Sequence, residues 1–126
     1  MTNTIETTKA LHESIIKTLH NGAYEDGTYN INTMESVSFE KGYQVSFYTI
    51  GMQYSADDYE FIASMFAEFS IDGIAYVGYF DGCAEISYRI ADKMTAVKLA
   101  KMFNQVSVWD WKNCECIATD GTGRWN

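Results

Sequence analysis

The amino-acid sequence predicts a single α+β domain in which a mainly antiparallel sheet of three hairpins carries three helices packed on one face. The 126 residues suffice for one domain with a core, since 47% are hydrophobic and 15% aromatic. Stretches with apolar residues three or four positions apart alternate with stretches in which every second residue is apolar. The chain has no proline, so glycines and capping residues set the boundaries, and the order is α-ββ-α-ββ-α-ββ.

Each predicted helix has a terminal signal and an apolar stripe. The first helix spans about residues 4–21 and ends at Gly22. The second covers residues 55–70 with Ser55 as N-cap, and the third follows the capping residue Asp92. The single domain therefore covers residues 1–126.

The three predicted hairpins follow from alternating patterns around turn residues. They cover residues 35–50, 74–90 and 106–119, and they turn at Lys41-Gly42, Asp81-Gly82 and Lys112-Asn113. In the first hairpin Tyr43, Val45 and Phe47 share one face. Residues 23–33 are predicted as a polar loop, and residues 120–126 as a frayed tail.

The net charge of −8 is concentrated in the middle of the chain. Residues 18–88 hold eleven of the seventeen acidic residues. The same segment contains one Lys or Arg residue, Lys41. Direct binding of nucleic acid is not expected, because it rests on Lys and Arg neutralising phosphates. A basic protein surface is the expected partner, since carboxylates steer it and tyrosines supply rigid contacts.

The second helix carries four acidic residues and no basic one. Helix capping and the helix dipole account for Asp57, Asp58 and Glu60, whereas Glu68 lies at the unfavourable end. An acidic face that binds a partner is one interpretation, and solubility is the other. The predicted partner-binding residues are Glu25, Asp26, Asp57, Glu60, Glu68, Tyr24, Tyr29 and Tyr59.

The three cysteines allow a metal site as an alternative. Cys114 and Cys116 would face one side of an extended strand, and Cys83 on another strand could add a third thiolate. His12 or His20 would be a fourth zinc ligand. Cysteine also serves as a small apolar core residue, so both interpretations stay open. The prediction is that the protein has no cofactor, and zinc is the alternative.

Catalytic motifs are absent from the sequence, which predicts a protein that is not an enzyme. A nucleotide-sequestering pocket is a further alternative, with Tyr and Trp rings for stacking and Arg89 or Arg124 as anion partner. The N-terminus lacks a secretory pattern and no apolar run is long enough for a membrane span, so we expect a cytoplasmic protein.

The stretch "KLAKMFNQVSVWDW", followed by "GTG", resembles small acidic proteins of unknown function carried by prophages and other mobile elements. The residues that carry this resemblance are Asn104, Gln105, Trp109 and Asp110. In size, acidity and lack of motifs the chain also resembles anti-CRISPR and other anti-defence proteins as a class. That resemblance implies a non-enzymatic inhibitor in a bacterial host cell that occupies the basic nucleic-acid-binding groove of a host nuclease.

Overall fold

The computed structural model describes residues 25–49, 55–80 and 83–121. In chain order these residues form β1 (Gly27–Asn30), β2 (Ser36–Val37), β3 (Tyr43–Thr49), α1 (Ala56–Phe69), β4 (Tyr76–Phe80), β5 (Cys83–Ile90), α2 (Lys93–Met102), β6 (Ser107–Asp110) and β7 (Glu115–Ala118). The α+β class is therefore confirmed. The helix predicted for residues 4–21 lies outside the described residues, and so do residues 122–126 of the predicted tail.

The prediction of three hairpins joined by three helices is wrong. The described residues form one antiparallel sheet of seven strands in the order β2-β1-β4-β5-β3-β6-β7, with two helices. The expected hairpin around Lys41-Gly42 does not exist, because three other strands separate β2 from β3. The cause is β1, which lies within the predicted polar loop 23–33 and pairs with both β2 and β4. Its Tyr29 is buried in the core, which a surface loop would not allow.

Residues 38–42, the crossing segment, connect β2 to β3 across the sheet. Six residue steps from Val37 to Tyr43 span about 21 Å at most. Four inter-strand spacings in a flat sheet amount to about 19 Å. Since this leaves almost no slack, the short connection favours a sheet that curls toward the crossing segment.

The sheet is in fact curled into a half-barrel. One cavity is lined both by Val37 of β2 and by Cys116 of β7, which lie on strands at opposite edges of the sheet. Strands this far apart can line one cavity only if the sheet bends around it. We call the concave side the inner face and the opposite side the outer face.

Arg89 of β5 holds the crossing segment against the inner face. Its guanidinium carbon lies 4.0 Å from the centre of the Phe39 ring, and Nη1 donates to the Lys41 carbonyl oxygen over 3.1 Å. Gly42 rests on the same side chain with φ +97°, and a Cβ atom there would lie 3.1 Å from Arg89 Cγ. Glycine at this position therefore meets a positive φ and close packing, although no hairpin turn forms here.

The outer face carries the hydrophobic core beneath both helices. Val45 and Phe47 are buried there, as the alternation in β3 predicts. The Phe47 ring lies 4.8 Å from that of Phe66 on α1 and 6.3 Å from that of Phe103 after α2. These phenylalanine side chains lie outside the half-barrel, where they attach the helices.

Local signals were predicted more accurately than strand pairing. Ser55 and Asp92 cap α1 and α2 by accepting bonds from backbone N–H groups. β6 and β7 form the last hairpin, and β4 and β5 pair as neighbours with Phe80 opposite Cys83. The predicted turn residues 81–82 lie outside the described residues. Neither described helix is long and apolar enough to cross a membrane.

Candidate ligand-binding site

The inner face encloses a cavity of about 450 Å³ that is partly open to solvent. Its size falls in the range of small-molecule sites, roughly 300 to 1,000 Å³. The described lining residues are Asp26, Gly27, Thr28, Ser36, Val37, Gln44, Ser46, Gly78, Tyr79, Glu85, Ser87, Gln105, Val106, Ser107, Trp109, Trp111 and Cys116.

Small side chains form the floor of this cavity. Gly78 of β4 lies opposite Thr28 on β1 and opposite Glu85 on β5. A Cβ atom at Gly78 would lie 3.8 Å from Ser46 Oγ and 4.0 Å from Ser87 Oγ, which is ordinary contact without a clash. The open space therefore results from residue size, and a side chain at this position would project into it.

Glu85 places a carboxyl group on the floor. Burial raises its pKa above the usual value, and a hydrogen bond from the Ser46 side chain opposes that rise. A carboxyl group with little solvent and one weak partner gains from a ligand that brings a positive charge or a hydrogen-bond donor.

A hydrogen-bonded chain fixes one wall. Trp111 Nε1 donates to Gln44 Oε1 over 3.0 Å, and Gln44 Nε2 donates to Ser87 Oγ over 2.9 Å. Trp109 meets Trp111 edge to face, with ring centres 6.1 Å apart at 88°. Because Gln44 and Ser87 are buried and satisfied by this chain, the Trp111 ring is held in position before any ligand arrives.

Arg89 lies on the same inner face but is not a cavity residue. Besides its contacts with the crossing segment, its Nη2 lies 3.9 Å from Asp72 Oδ2, and Asp72 also accepts from the Tyr76 hydroxyl over 2.9 Å. Burial and then this hydrogen bond raise the pKa of Tyr76 to about 12. Of the two anion partners in the nucleotide alternative, Arg89 is held by these contacts, with its Nε atom buried and without a hydrogen-bond partner among the described residues. The other, Arg124, lies outside the described residues.

The predicted partner-binding residues do not form one surface. Asp26 lines the inner cavity, whereas α1 packs against the outer face, so the loop acids and the helix acids lie on opposite sides of the sheet. Glu25 is exposed, and its backbone oxygen accepts from the Tyr29 hydroxyl over 2.6 Å. Tyr29 is itself buried, and Tyr24 lies outside the described residues.

On α1 the structure separates the predicted contacts by burial. Asp57 and Glu68 are exposed, while Tyr59 is 0% exposed and packs against Phe47. Glu60 is half-buried, and its Oε2 is buried without a hydrogen-bond partner among the described residues. A fully buried Tyr59 offers nothing to a partner, because its ring belongs to the core.

The cysteines are not arranged as the zinc interpretation requires. Cys114 has φ 51° in the turn before β7, so it does not share an extended strand with Cys116. Both are exposed free thiols, and nothing is described of the Cys83 side chain. His12 and His20 lie outside the described part of the chain, within which no three His, Cys, Asp or Glu residues form a metal-binding group.

The cavity residues were missed because their sequence signal has another common meaning. Glu85, Ser87 and Arg89 alternate with apolar residues along β5, as do Gln44 and Ser46 along β3. Such alternation is typical of a sheet face in water. Only the strand order reveals that this polar face lies inside the half-barrel.

Comparison with known proteins adds no family to this geometry. The chain matches no protein-family model, and no curated protein or solved structure is similar to it.

We predict that Glu85→Gln stabilises the protein at neutral pH and much less at pH 4. Because the folded-state pKa is raised, ionisation opposes folding, and this penalty grows as pH rises from the unfolded value of 4.5 through the folded one. Glutamine removes the penalty, which amounts to roughly 1.4 kcal/mol per unit of pKa rise. Urea unfolding of both proteins between pH 4 and 8 measures the difference.

The matched control is Glu115→Gln, at an exposed position of β7. Its free energy of unfolding should stay within about 0.5 kcal/mol of the wild-type value at all pH values. A stability difference for Glu85→Gln that does not change with pH would contradict the burial of this carboxyl group.

Proposed function

We propose that the protein binds a small organic molecule inside the half-barrel and does not transform it. The cavity on the inner face carries this proposal: a floor of Gly78 and serines leaves about 450 Å³ open beside two tryptophans, of which Trp111 is held by a hydrogen bond to Gln44. A sheet face with a purely structural role would be filled by larger side chains or lie flat in water. Here the centre of the inner face has only glycine, serine and other small or polar residues, and the tryptophans lie at one side.

The hydrogen bonding of the lining supports binding rather than catalysis. The Ser87 hydroxyl accepts from Gln44, and the Ser46 side chain bonds to Glu85. These bonds hold polar groups in place around an apolar, aromatic wall, as is typical of sites that orient a ligand. The expected cytoplasmic location belongs to the proposal as well, and the free thiols Cys114 and Cys116 agree with a reducing compartment.

The test is a fragment screen by ligand-observed NMR on wild type and on Gly78→Leu. Wild type should bind a subset of fragments, and Gly78→Leu should weaken these by about tenfold or more because the new side chain fills the cavity. Ser64→Leu, which adds the same side chain on the exposed surface of α1, is the matched control and should leave binding unchanged.

Circular dichroism establishes that each variant is folded, and Gly78→Val is the smaller substitute if leucine unfolds the chain. The proposal is contradicted if no fragment binds wild type, or if the fragments bind Gly78→Leu as well as wild type.

The exposed surface of α1 supports a second candidate, the inhibitor function that the sequence predicts. Phe61 is 71% exposed on the same side of the helix as Asp57 and Glu68. A large apolar ring in water beside carboxylates fits a basic partner that has an apolar pocket. We propose this surface, without Tyr29 and Tyr59, as the part of the chain that would bind a host nuclease.

A DNA-cleavage assay with a panel of bacterial defence nucleases tests the second candidate. We expect wild type to inhibit at least one nuclease, and both Phe61→Ser and the triple variant Asp57→Lys, Asp58→Lys, Glu68→Lys to weaken inhibition by about tenfold or more. Lys98→Glu on α2 is the charge-change control. Inhibition of no nuclease, or equal inhibition by all variants, would rule this candidate out.

A further inference from the structure

We propose that the ligand of the inner cavity is an organic cation, an amine with an aromatic or branched apolar body, and that Glu85 is its counter-ion. This inference rests on the proposed small-molecule function and specifies the chemical class of the ligand.

The charges of the lining favour a cation. Its two charged members are acidic, Glu85 on the floor and Asp26 at the start of β1, and the described lining contains no Lys, Arg or His. An anion entering this space would lose its water and meet the Glu85 carboxyl group, with no basic side chain in the described lining to compensate. A cation would meet Glu85 as a partner.

The aromatic wall favours the same ligand class. Trp109 and Trp111 meet at a right angle and form a corner of the cavity, and indole is the ring that attracts cations most strongly. The Trp111 N–H group is already bonded to Gln44, so this ring offers the ligand its apolar surface rather than a donor. An ammonium group beside Glu85 with its apolar body against the indoles would satisfy both parts of the lining.

The basic residue on the same face of β5 already has acidic and aromatic neighbours. Arg89 has its guanidinium over Phe39, bonded to the Lys41 carbonyl and near Asp72. It is not among the described lining residues, so it does not act as the counter-ion of Glu85 within the cavity. The chain's net charge of −8 adds long-range attraction for cations approaching the open side.

Three compounds with one indole ring and different charges test the inference: tryptamine, which is a cation, tryptophol, which is neutral, and indole-3-acetate, which is an anion. Isothermal titration at pH 7 and low salt measures their dissociation constants. We expect wild type to bind tryptamine about tenfold more tightly than tryptophol, and indole-3-acetate most weakly. In Glu85→Gln the preference for tryptamine over tryptophol should disappear, while Glu115→Gln should keep it.

The outcomes separate this inference from the function on which it rests. The cation inference is overturned, and the small-molecule function stands, if the fragments whose binding is weakened by Gly78→Leu are neutral or anionic. The same holds if the three indole compounds bind wild type equally. If neither fragments nor indoles bind, both are overturned. If Glu85→Gln keeps the full preference for tryptamine, Glu85 is not the counter-ion.

Discussion

Arg89 of β5 ties the crossing segment to the inner face of the sheet. It holds the short connection between β2 and β3 across the inner face, with Phe39 above the guanidinium and edge to face with Tyr76 and Trp111. Because that connection is barely long enough for a flat sheet, fixing it keeps the sheet curled. The curl in turn brings opposite edge strands to one cavity.

The two faces of the sheet have different roles as a result. The outer face carries the hydrophobic core, with Phe47 and Phe66 in it, and attaches both described helices. The inner face has small or polar residues at its centre and tryptophans at one side. Stability therefore comes mainly from outside the half-barrel, which leaves the inside available for a ligand.

Sequence alone could predict the local elements but not their long-range pairing. Caps at Ser55 and Asp92 and the alternation in β3 are local signals, and the structure agrees with them. β1 has only four residues in a polar context, and its pairing with β4 is a long-range contact that no local pattern encodes. The glycine at position 42 gives the same signal for a hairpin turn as for close packing on Arg89.

The candidate site was hidden for a related reason. Alternation along β5 shows that Glu85 and Ser87 share a face, but not that this face curls inward. The acidic residues that the composition brings to attention are divided by the sheet, with Asp26 inside and Asp57 outside. A site assembled from seven strands is visible only once their order is known.

The most direct test of this account is the distance between the two edge strands in solution. Spin labels at positions 36 and 118, with the native cysteines replaced by serine, would report it by pulsed electron resonance. We predict one narrow distribution well below the roughly 29 Å of six flat inter-strand spacings, and a broader, longer one in Arg89→Ala. Arg89→Lys should be intermediate and Lys98→Ala unchanged. A distribution in Arg89→Ala identical to that of wild type would show that Arg89 does not hold the half-barrel closed.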